Sequence, residues 1–219
     1  MIHTISMEIR HFTVGPFQEH TYVLSDPISQ EAFVIDPGGW SQATLTYVAE
    51  QKLQVKAIIS THGHIDHIAG AYELREKLKV PYWLHEKDLY LLENLDLICS
   101  YFGFPKIERP VVDGHIKEGQ ILMVGDHEIK IIGTPGHTPG GLCFLTEKEI
   151  FVGDTLFQGS IGRTDLPGGN YKQLLASIQN KLLILSDDIK VYCGHGPTTT
   201  IGDEKLSNPF LTGEAAEFF

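Results

Sequence analysis

Short apolar runs separated by turn-forming residues dominate the hydrophobic pattern of this chain. Gly15-Pro16 and Asp26-Pro27 supply two of the early turns, and each follows or precedes such a run. The runs predict ten strands, at residues 8–14, 21–25, 31–35, 55–60, 80–84, 121–124, 128–132, 142–145, 150–152 and 189–193. Helical spacing predicts four helices: one capped by Ser41 and running to about residue 53, one following residue 67, and two at 86–94 and 171–183. Residues 99–115 are predicted to be irregular.

Strand and helix signals alternate in each half of the chain. Several strands follow one another closely enough to pair antiparallel, which a doubly wound parallel sheet would not show. Two sheets packed together with helices outside fit this pattern. The 219 residues suit one medium-sized domain, and no repeat or linker-like run divides them, so we predict a single domain over 1–219. The tail, 213–219, shows little periodicity.

Charge and cysteine content narrow the classes of partner and compartment. The chain has 17 basic and 28 acidic residues, a formal net charge of −11, which argues against an electrostatic nucleic-acid or membrane binder. The first twelve residues lack a continuous apolar segment, and no stretch approaches the ~20 apolar residues of a membrane span. The three cysteines are odd in number and far apart, so we predict reduced thiols in a cytoplasmic protein.

The densest chemistry directly follows the strand predicted at 55–60. His62, His64, Asp66 and His67 lie within six residues, in the sequence Thr-His-Gly-His-Ile-Asp-His. Imidazole nitrogens together with a carboxylate oxygen suit zinc and comparable divalent metals. Because the backbone turns sharply where a strand enters a helix, alternating side chains there can point at two adjacent metal positions. A polar loop with a helix-capping aspartate explains this spacing poorly.

Three further loops place a histidine or an aspartate just beyond an apolar strand. His137 lies in a Gly-Thr-Pro-Gly-His-Thr-Pro-Gly loop, Asp154 in Gly-Asp-Thr and His195 in Gly-His-Gly. Each loop alone is equally well explained as a turn. Together, four strand-end loops that deliver ligand-type side chains beside glycines predict one common site.

These motifs resemble the metallo-beta-lactamase superfamily. The segments THGHIDH, GTPGHTPGG, FVGDTLFQGSIGRTDLPGG and CGHGPTTTIGDEKLSNPFL are similar to its type II glyoxalase (hydroxyacylglutathione hydrolase) branch in the short single-domain bacterial form. The similarity spans roughly residues 8–211. It implies an α/β (α+β) fold, a four-layer αββα sandwich, with a dinuclear metal centre at one edge.

The resemblance also implies roles for individual residues. His62, His64 and His137 would hold one metal ion, and Asp66, His67 and His195 the other, with Asp154 bridging both. Zinc is the expected metal, and iron or manganese would accept the same ligands. A hydroxide that bridges the two ions would attack a thioester carbonyl, while Asp66 and Asp154 orient water as well as ligate. A thiolate leaves readily, so no dedicated general acid is required.

The expected substrate is a glutathione thioester, S-D-lactoylglutathione, hydrolysed to D-lactate and glutathione in methylglyoxal detoxification. Longer type II glyoxalases grip glutathione with a C-terminal helical region that this chain is expected to lack. Loops near residues 101–109 and 162–170 would then recognise glutathione, and Arg163 is the best carboxylate partner, ahead of Lys106 and Arg109. An ion pair of Arg163 with Asp165 is an equally good explanation of that arginine.

Two other activities fit the same motifs. A persulfide dioxygenase on this fold would use one Fe(II) held by His62, His137 and Asp154, with open positions for oxygen. A lactonase or β-lactamase activity carries less weight, because function belongs to the site and not to the fold. A closed structural metal site is the weakest interpretation.

Overall fold

The first half of the chain builds a six-stranded sheet. The structure, a computed structural model, describes residues 6–214, so the predictions for the first twelve residues and for 213–219 fall partly outside it. The strands are β1 (Glu8–Val14), β2 (Glu19–Ser25), β3 (Glu31–Ile35), β4 (Gln54–Ile59), β5 (Tyr82–Leu84) and β6 (Gly114–His115). They lie in sequence order, antiparallel from β1 to β3 and parallel from β3 to β6.

The second half contributes a second six-stranded sheet and a small hairpin. Its strands are β7 (Ile121–Val124), β8 (His127–Gly133), β9 (Leu142–Leu145), β10 (Glu149–Gly153), β11 (Leu156–Phe157), β12 (Ser160–Ile161), β13 (Lys190–Cys193) and β14 (Thr199–Thr200). The sheet order is β14-β13-β10-β9-β8-β7, with β10 and β13 parallel and the other neighbours antiparallel. Among the described residues, strands β11 and β12 pair only with each other.

Eight helices cover the outer faces of the two sheets in the described part of the chain. They are α1 (Gln42–Glu50), α2 (Ile65–Ile68), α3 (Ala71–Leu78), α4 (Leu89–Glu93), α5 (Leu95–Phe102), α6 (Tyr171–Ser177), α7 (Ile201–Ser207) and α8 (Pro209–Thr212). A 3₁₀ turn at Glu86–Asp88 precedes α4, and a π-helical turn at Ile178–Leu182 extends α6. None of these helices is long and apolar enough to cross a membrane.

Successive side chains of each strand point to opposite faces of its sheet, so the core is divided into separate apolar layers. Tyr22 and Leu24 of β2 point between the sheets, where they meet Phe144 and Phe151 of the second sheet. Val23 points the other way, into the layer formed by helices α1 to α5. A third cluster packs α6, the π turn, α7 and α8 on the second sheet. The resulting helix–sheet–sheet–helix layering confirms the predicted αββα sandwich.

The predicted strands agree with the structure to within a few residues, whereas several helices differ. In place of the one helix expected after residue 67 there are two, α2 and α3, separated at Gly70, whose N–H donates to the Pro37 carbonyl at 2.7 Å and does not continue the helical hydrogen bonds. The prediction of irregular structure over residues 99–115 was wrong at both ends, because α5 continues to Phe102 and ends in a left-handed Gly103 with φ +70°, and Gly114–His115 form β6. Helices α7 and α8 were not predicted, although Thr200 and Asn208 cap them.

Candidate metal centre

Parallel strands bring the five chemistry-bearing loops together. Strands β3 and β4 are parallel, so Asp36 and the 61–67 loop leave the first sheet at the same edge. Strands β8, β10 and β13 run in one direction in the second sheet, and their ends lead to His137, Asp154 and His195. A backbone hydrogen bond of 2.8 Å from Leu142 N–H to Thr61 O joins the two edges. The predicted convergence of the loops is therefore observed.

Three imidazole nitrogens form the first group of donors, which we call the three-histidine group. His64 Nδ1 lies 2.8 Å from His137 Nε2, and that atom lies 3.2 Å from His62 Nε2. His62 and His137 are buried and His64 is half-buried. The three ligand atoms lie within 4.8 Å of one another, an arrangement that could hold one metal ion.

Neighbouring hydrogen bonds define which nitrogens carry protons in this group. His137 Nδ1–H donates to the carbonyl of Arg163 at 2.7 Å, so its Nε2 presents a lone pair when the ring is neutral. The Thr61 hydroxyl donates to Asp36 at 2.7 Å and therefore accepts from His62 Nδ1–H at 3.1 Å. Two Nε2 lone pairs thus face each other across 3.2 Å. A bound cation removes the repulsion between them, so these residues fit a metal ion.

The second group of donors, the carboxylate–histidine group, consists of Asp66, His67, Asp154 and His195. His195 Nε2 lies 3.1 Å from Asp66 Oδ2 and 3.6 Å from Asp154 Oδ1. His67 Nε2 lies 3.3 Å from the same Asp154 oxygen. The other oxygen of Asp154 lies 3.7 Å from His137 Nε2, so this carboxylate stands between the two groups.

Unsatisfied polar atoms mark the centre of the second group. His67 donates its Nδ1–H to Asp36 at 3.1 Å, and His195 donates its Nδ1–H to the carbonyl of Phe17 at 3.0 Å. Both rings therefore turn Nε2 inward. His67 Nε2 and Asp154 Oδ1 are buried without a hydrogen-bond partner among the described residues. Buried polar atoms are normally paired, and a cation between these two would satisfy both.

Glycines keep the space around Asp154 open. A Cβ at Gly194 would overlap Asp154 Oδ1 and lie 2.6 Å from the Cε1 atom of His67. A Cβ at Gly162 would overlap the Asp154 carbonyl and lie 3.1 Å from His137 Nδ1. These two positions require glycine for close approach, which explains the glycine before His195 and the glycine before Arg163.

The charges of the two groups differ. Burial lowers the pKa of His64 to about 3 and lowers the pKa of His62 well below its ordinary value, so both imidazoles are neutral. Burial opposes ionisation of Asp154, but the positive charge of His67 outweighs it and lowers the pKa of that carboxyl. The neutral imidazoles of His62 and His64 and the ionised carboxylate of Asp154 are in the forms that bind metals.

An open cleft gives access to both groups of donors. Its volume is about 330 Å³. Beside His64, Asp66, His137, Asp154 and His195, its walls are formed by Phe17, Ile65, Ile98, Phe102, Arg163 and Leu166. We call it the main cleft. A site closed on all sides would be structural, whereas this one leaves the donors reachable by a small molecule.

The amino-acid sequence matches the model of the metallo-beta-lactamase superfamily over residues 14–195. The chain belongs to the metallo-beta-lactamase superfamily. Its fold and its cluster of histidines and aspartates agree with that membership.

One relative and two solved structures match almost the whole of this chain. Hydroxyacylglutathione hydrolase GloC of Haemophilus influenzae is 42% identical over 213 residues, which cover 95% of this chain and 100% of that protein. The crystal structure of BLEG-1 B3 metallo-beta-lactamase is similar with a TM-score of 0.87 and 39% identity, covering 94% of this chain and 100% of that one. The structure of TTHA1623 in a di-iron-bound form has a TM-score of 0.83 and 37% identity, covering 92% and 100%. These names differ in substrate and metal, so membership of the superfamily does not define either.

The sequence left two alternatives for Arg163, a contact with substrate or an ion pair with Asp165, and its position allows both. Its side chain lines the main cleft, and its guanidinium binds Asp165 through two hydrogen bonds of 2.7 Å each. The role of Arg163 in substrate binding therefore stays a prediction. Lys106 and Arg109 line a separate cleft, and Lys106 pairs with Asp96 at 3.2 Å.

Two buried aspartates that support the site were missed by sequence reasoning. Asp36 accepts hydrogen bonds from Thr61 and His67, and it was not predicted as a site residue. Asp88 accepts from Gly63 N–H at 2.9 Å, from the Thr138 hydroxyl at 2.8 Å and from Gly140 N–H at 2.7 Å. It thereby ties the 61–67 loop to the loop that carries His137. The position of Asp36 after an apolar strand was a usable signal, whereas nothing local distinguishes Asp88.

The apolar walls of the main cleft were also missed. Phe102 lines the cleft together with Phe17, Ile98 and Leu166, and none of these four was predicted as a site residue. Phe17 contacts the rings of Phe102 and Phe104 at centroid distances of 6.0 and 5.3 Å. Ile98 and Phe102 share α5, but Phe17 and Leu166 come from other parts of the chain, so no single periodic pattern joins the four residues.

Proposed function

We propose that the protein is a metal-dependent hydrolase of glutathione thioesters that converts S-D-lactoylglutathione to D-lactate and glutathione. The main cleft carries the proposal, because two groups of metal-ligand donors share Asp154 at its floor while apolar side chains and Arg163 form its walls. Support also comes from the relative in Haemophilus influenzae, which is named a hydroxyacylglutathione hydrolase and is 42% identical along its full length.

In this proposal, the three-histidine group holds one divalent ion and the carboxylate–histidine group holds a second. Asp154 contributes to both, since its two oxygens face different groups. Zinc suits a set of imidazole and carboxylate donors, and iron or manganese is compatible with it, as the di-iron form of a similar structure illustrates. When bound, two such ions lower the pKa of water toward neutrality and polarise an acyl carbonyl.

The side chains of the chain itself supply position and exclusion of bulk water. Asp66 and Asp154 are hydrogen-bond acceptors on the cleft floor, so they orient the attacking water toward the acyl carbon. Phe17, Phe102 and Leu166 shield the reacting groups, which strengthens the electrostatic interactions within the cleft. A thiolate is a good leaving group, so the proposed reaction needs no dedicated general acid.

Metal analysis combined with two assays tests the proposed function. We expect two divalent ions per chain, hydrolysis of S-D-lactoylglutathione, and no oxygen uptake with glutathione persulfide. One iron per chain with oxygen consumption would overturn the proposal in favour of a persulfide dioxygenase that uses His62, His137 and Asp154. A β-lactam substrate belongs in the same panel, because a β-lactamase is among the similar structures. Faster turnover of that substrate would also overturn the proposal.

Replacing Asp154 by alanine tests its place between the two groups. We expect Asp154→Ala to lower the turnover number more than about 100-fold. Removing a side chain that binds the metal should reduce activity at least as much as removing a residue that only supports a metal ligand. Far-ultraviolet circular dichroism should show a folded chain, since the core does not depend on this side chain. Asp187→Ala, on an exposed aspartate paired with Lys205, is the matched control and should keep full turnover. Retained turnover in Asp154→Ala would contradict the proposed role.

A further inference from the structure

A second cleft adjoins the main cleft and has no part in the chemistry described so far. Its volume is about 310 Å³, and we call it the side cleft. Tyr171 and Phe210 provide aromatic walls, and Arg163, Thr164 and Asp165 provide polar ones. Arg163 lines both clefts, so a molecule in the main cleft can extend past this side chain into the side cleft.

The side cleft begins beside a predicted metal ligand. The carbonyl of Arg163 accepts the 2.7 Å hydrogen bond from His137 Nδ1–H. The next polar side chains of the same segment, Thr164 and Asp165, already belong to the side cleft. The distance between the reacting end of a substrate and this cleft is therefore set by one short, hydrogen-bonded segment of backbone.

Arg163 and Asp165 present opposite charges side by side. The guanidinium and the carboxylate are joined by two hydrogen bonds of 2.7 Å, and the side chains are 56% and 67% exposed. The hydrogen bonds from Arg163 lower the pKa of Asp165 to about 2, so the carboxylate is ionised at neutral pH. An exposed ion pair of this kind contributes little to stability, so a ligand can open it readily.

A guanidinium beside a carboxylate is complementary to an α-amino acid zwitterion. The planar guanidinium binds a carboxylate bidentately, and the carboxylate accepts hydrogen bonds from an ammonium group. When a zwitterion inserts, the exposed Arg163–Asp165 ion pair is replaced by two ion pairs, one from each side chain to the ligand, in a cleft with aromatic walls. A ligand that has a carboxylate but no ammonium group would bind Arg163 and leave the Asp165 carboxylate without a hydrogen-bond partner.

We propose that the side cleft is the binding subsite for the α-amino carboxylate end of the leaving thiol, in which Arg163 binds the carboxylate and Asp165 binds the ammonium group. This inference rests on the proposed thioester hydrolysis and names the part of the substrate that sets its specificity. In glutathione, the γ-glutamyl end carries this zwitterion, whereas the glycyl end carries a carboxylate only. Tyr171 and Phe210 pack against the aliphatic segment between the zwitterion and the peptide bond.

Titration calorimetry with two ligands that cannot be hydrolysed tests the subsite on the metal-loaded protein. S-methylglutathione has the free α-amine, and its N-acetyl derivative does not. We expect the wild-type protein to bind the N-acetyl derivative about tenfold more weakly, the loss of one hydrogen bond between charged groups. In Asp165→Asn this difference should fall below about twofold, while Asp187→Asn should keep it. Asp165 is exposed, so this substitution is compatible with folding.

Three results would overturn the subsite: equal wild-type affinities for the two ligands, failure of the wild type to bind either ligand, or an undiminished difference in Asp165→Asn. The chemistry is assayed separately, with the lactoyl thioester of N-acetylcysteamine, which has neither an α-amine nor a carboxylate. If the wild type discriminates between S-methylglutathione and its N-acetyl derivative as expected but cleaves no thioester, the proposed function fails and the subsite stands. If it cleaves the neutral thioester but does not discriminate between the two ligands, the subsite alone fails.

Discussion

Each histidine that points Nε2 into the candidate metal centre is oriented by a contact of its other ring nitrogen. His67 donates to Asp36, His137 to the Arg163 carbonyl, and His195 to the Phe17 carbonyl. His62 donates to Thr61, which in turn donates to Asp36. Asp36 therefore orients one histidine of each donor group. Such contacts fix the ring tautomer and raise the basicity of the nitrogen that faces a metal.

Asp36→Asn is expected to weaken metal binding 10- to 100-fold, because the amide replaces a charged acceptor that serves both His67 and Thr61. Competition with a chromophoric chelator measures the affinity of each site. Asp96→Asn, on an exposed residue outside the centre, should retain wild-type affinity. A folded Asp36→Asn protein with unchanged metal affinity would contradict this prediction.

The segment between β12 and α6 forms one wall of the main cleft and is held at three points. The Arg163 carbonyl accepts from His137, the Pro167 carbonyl accepts from the Tyr90 hydroxyl at 2.8 Å, and Asn170 N–H donates to Gly136 O at 2.7 Å. Only the Tyr90 contact comes from α4, which continues into α5 and the opposite wall of the cleft. Burial raises the pKa of Tyr90 to about 12, so its hydroxyl remains a donor at neutral pH.

Tyr90→Phe is therefore expected to alter the width of the main cleft without disturbing the metal ligands. The lost hydrogen bond is worth about 0.5–1.5 kcal/mol, which corresponds to a two- to tenfold rise in KM with metal content preserved. Steady-state kinetics with S-D-lactoylglutathione measure the change. Tyr47→Phe, on α1 at a distance from the cleft, is the matched control. An unchanged KM would show that the two walls keep their spacing without this contact.

The sandwich as a whole does not depend on a metal ion for its core. Large apolar side chains fill the space between the sheets, and two further clusters bury the helices on the outer faces. Metal ligands lie at one edge of this core, where strand ends meet. Metal binding should therefore add stability to a chain that folds without it.

Removal of metal by a chelator is expected to lower the melting temperature while leaving a cooperative unfolding transition. A site with free metal at 100 times its Kd contributes about 2.7 kcal/mol, and each kcal/mol changes the melting temperature of a protein of this size by about 2–4 °C. Differential scanning calorimetry with and without chelator gives the difference. Loss of the transition in chelator, or no shift at all, would contradict the assignment of an edge site on an independent core.

Local sequence predicted ten of the fourteen strands in the described part of the chain, and it pointed to seven side chains that the structure brings together at one edge. Their role as metal ligands stays a prediction. Apolar runs end at Gly-, His- and Asp-rich loops, and His62, His64, Asp66 and His67 lie so close along the chain that one turn brings them together. The far-separated His137, Asp154 and His195 were found because each follows a strand, and strands running in one direction end at one edge. These are properties of chain direction and spacing, which are visible without coordinates.

Packing between distant segments decided the remaining features. Asp88 supports Gly63 and Gly140 from 25 and 52 residues away, and Phe17 and Phe102 meet across the cleft from different layers. The pairing of Arg163 with Asp165 was one of two alternatives until the folded segment showed both side chains along one cleft. Contacts of this kind depend on how sheets and helices stack. No periodic pattern or local motif predicts these contacts, because the packing free energy that determines them is a sum over the whole core.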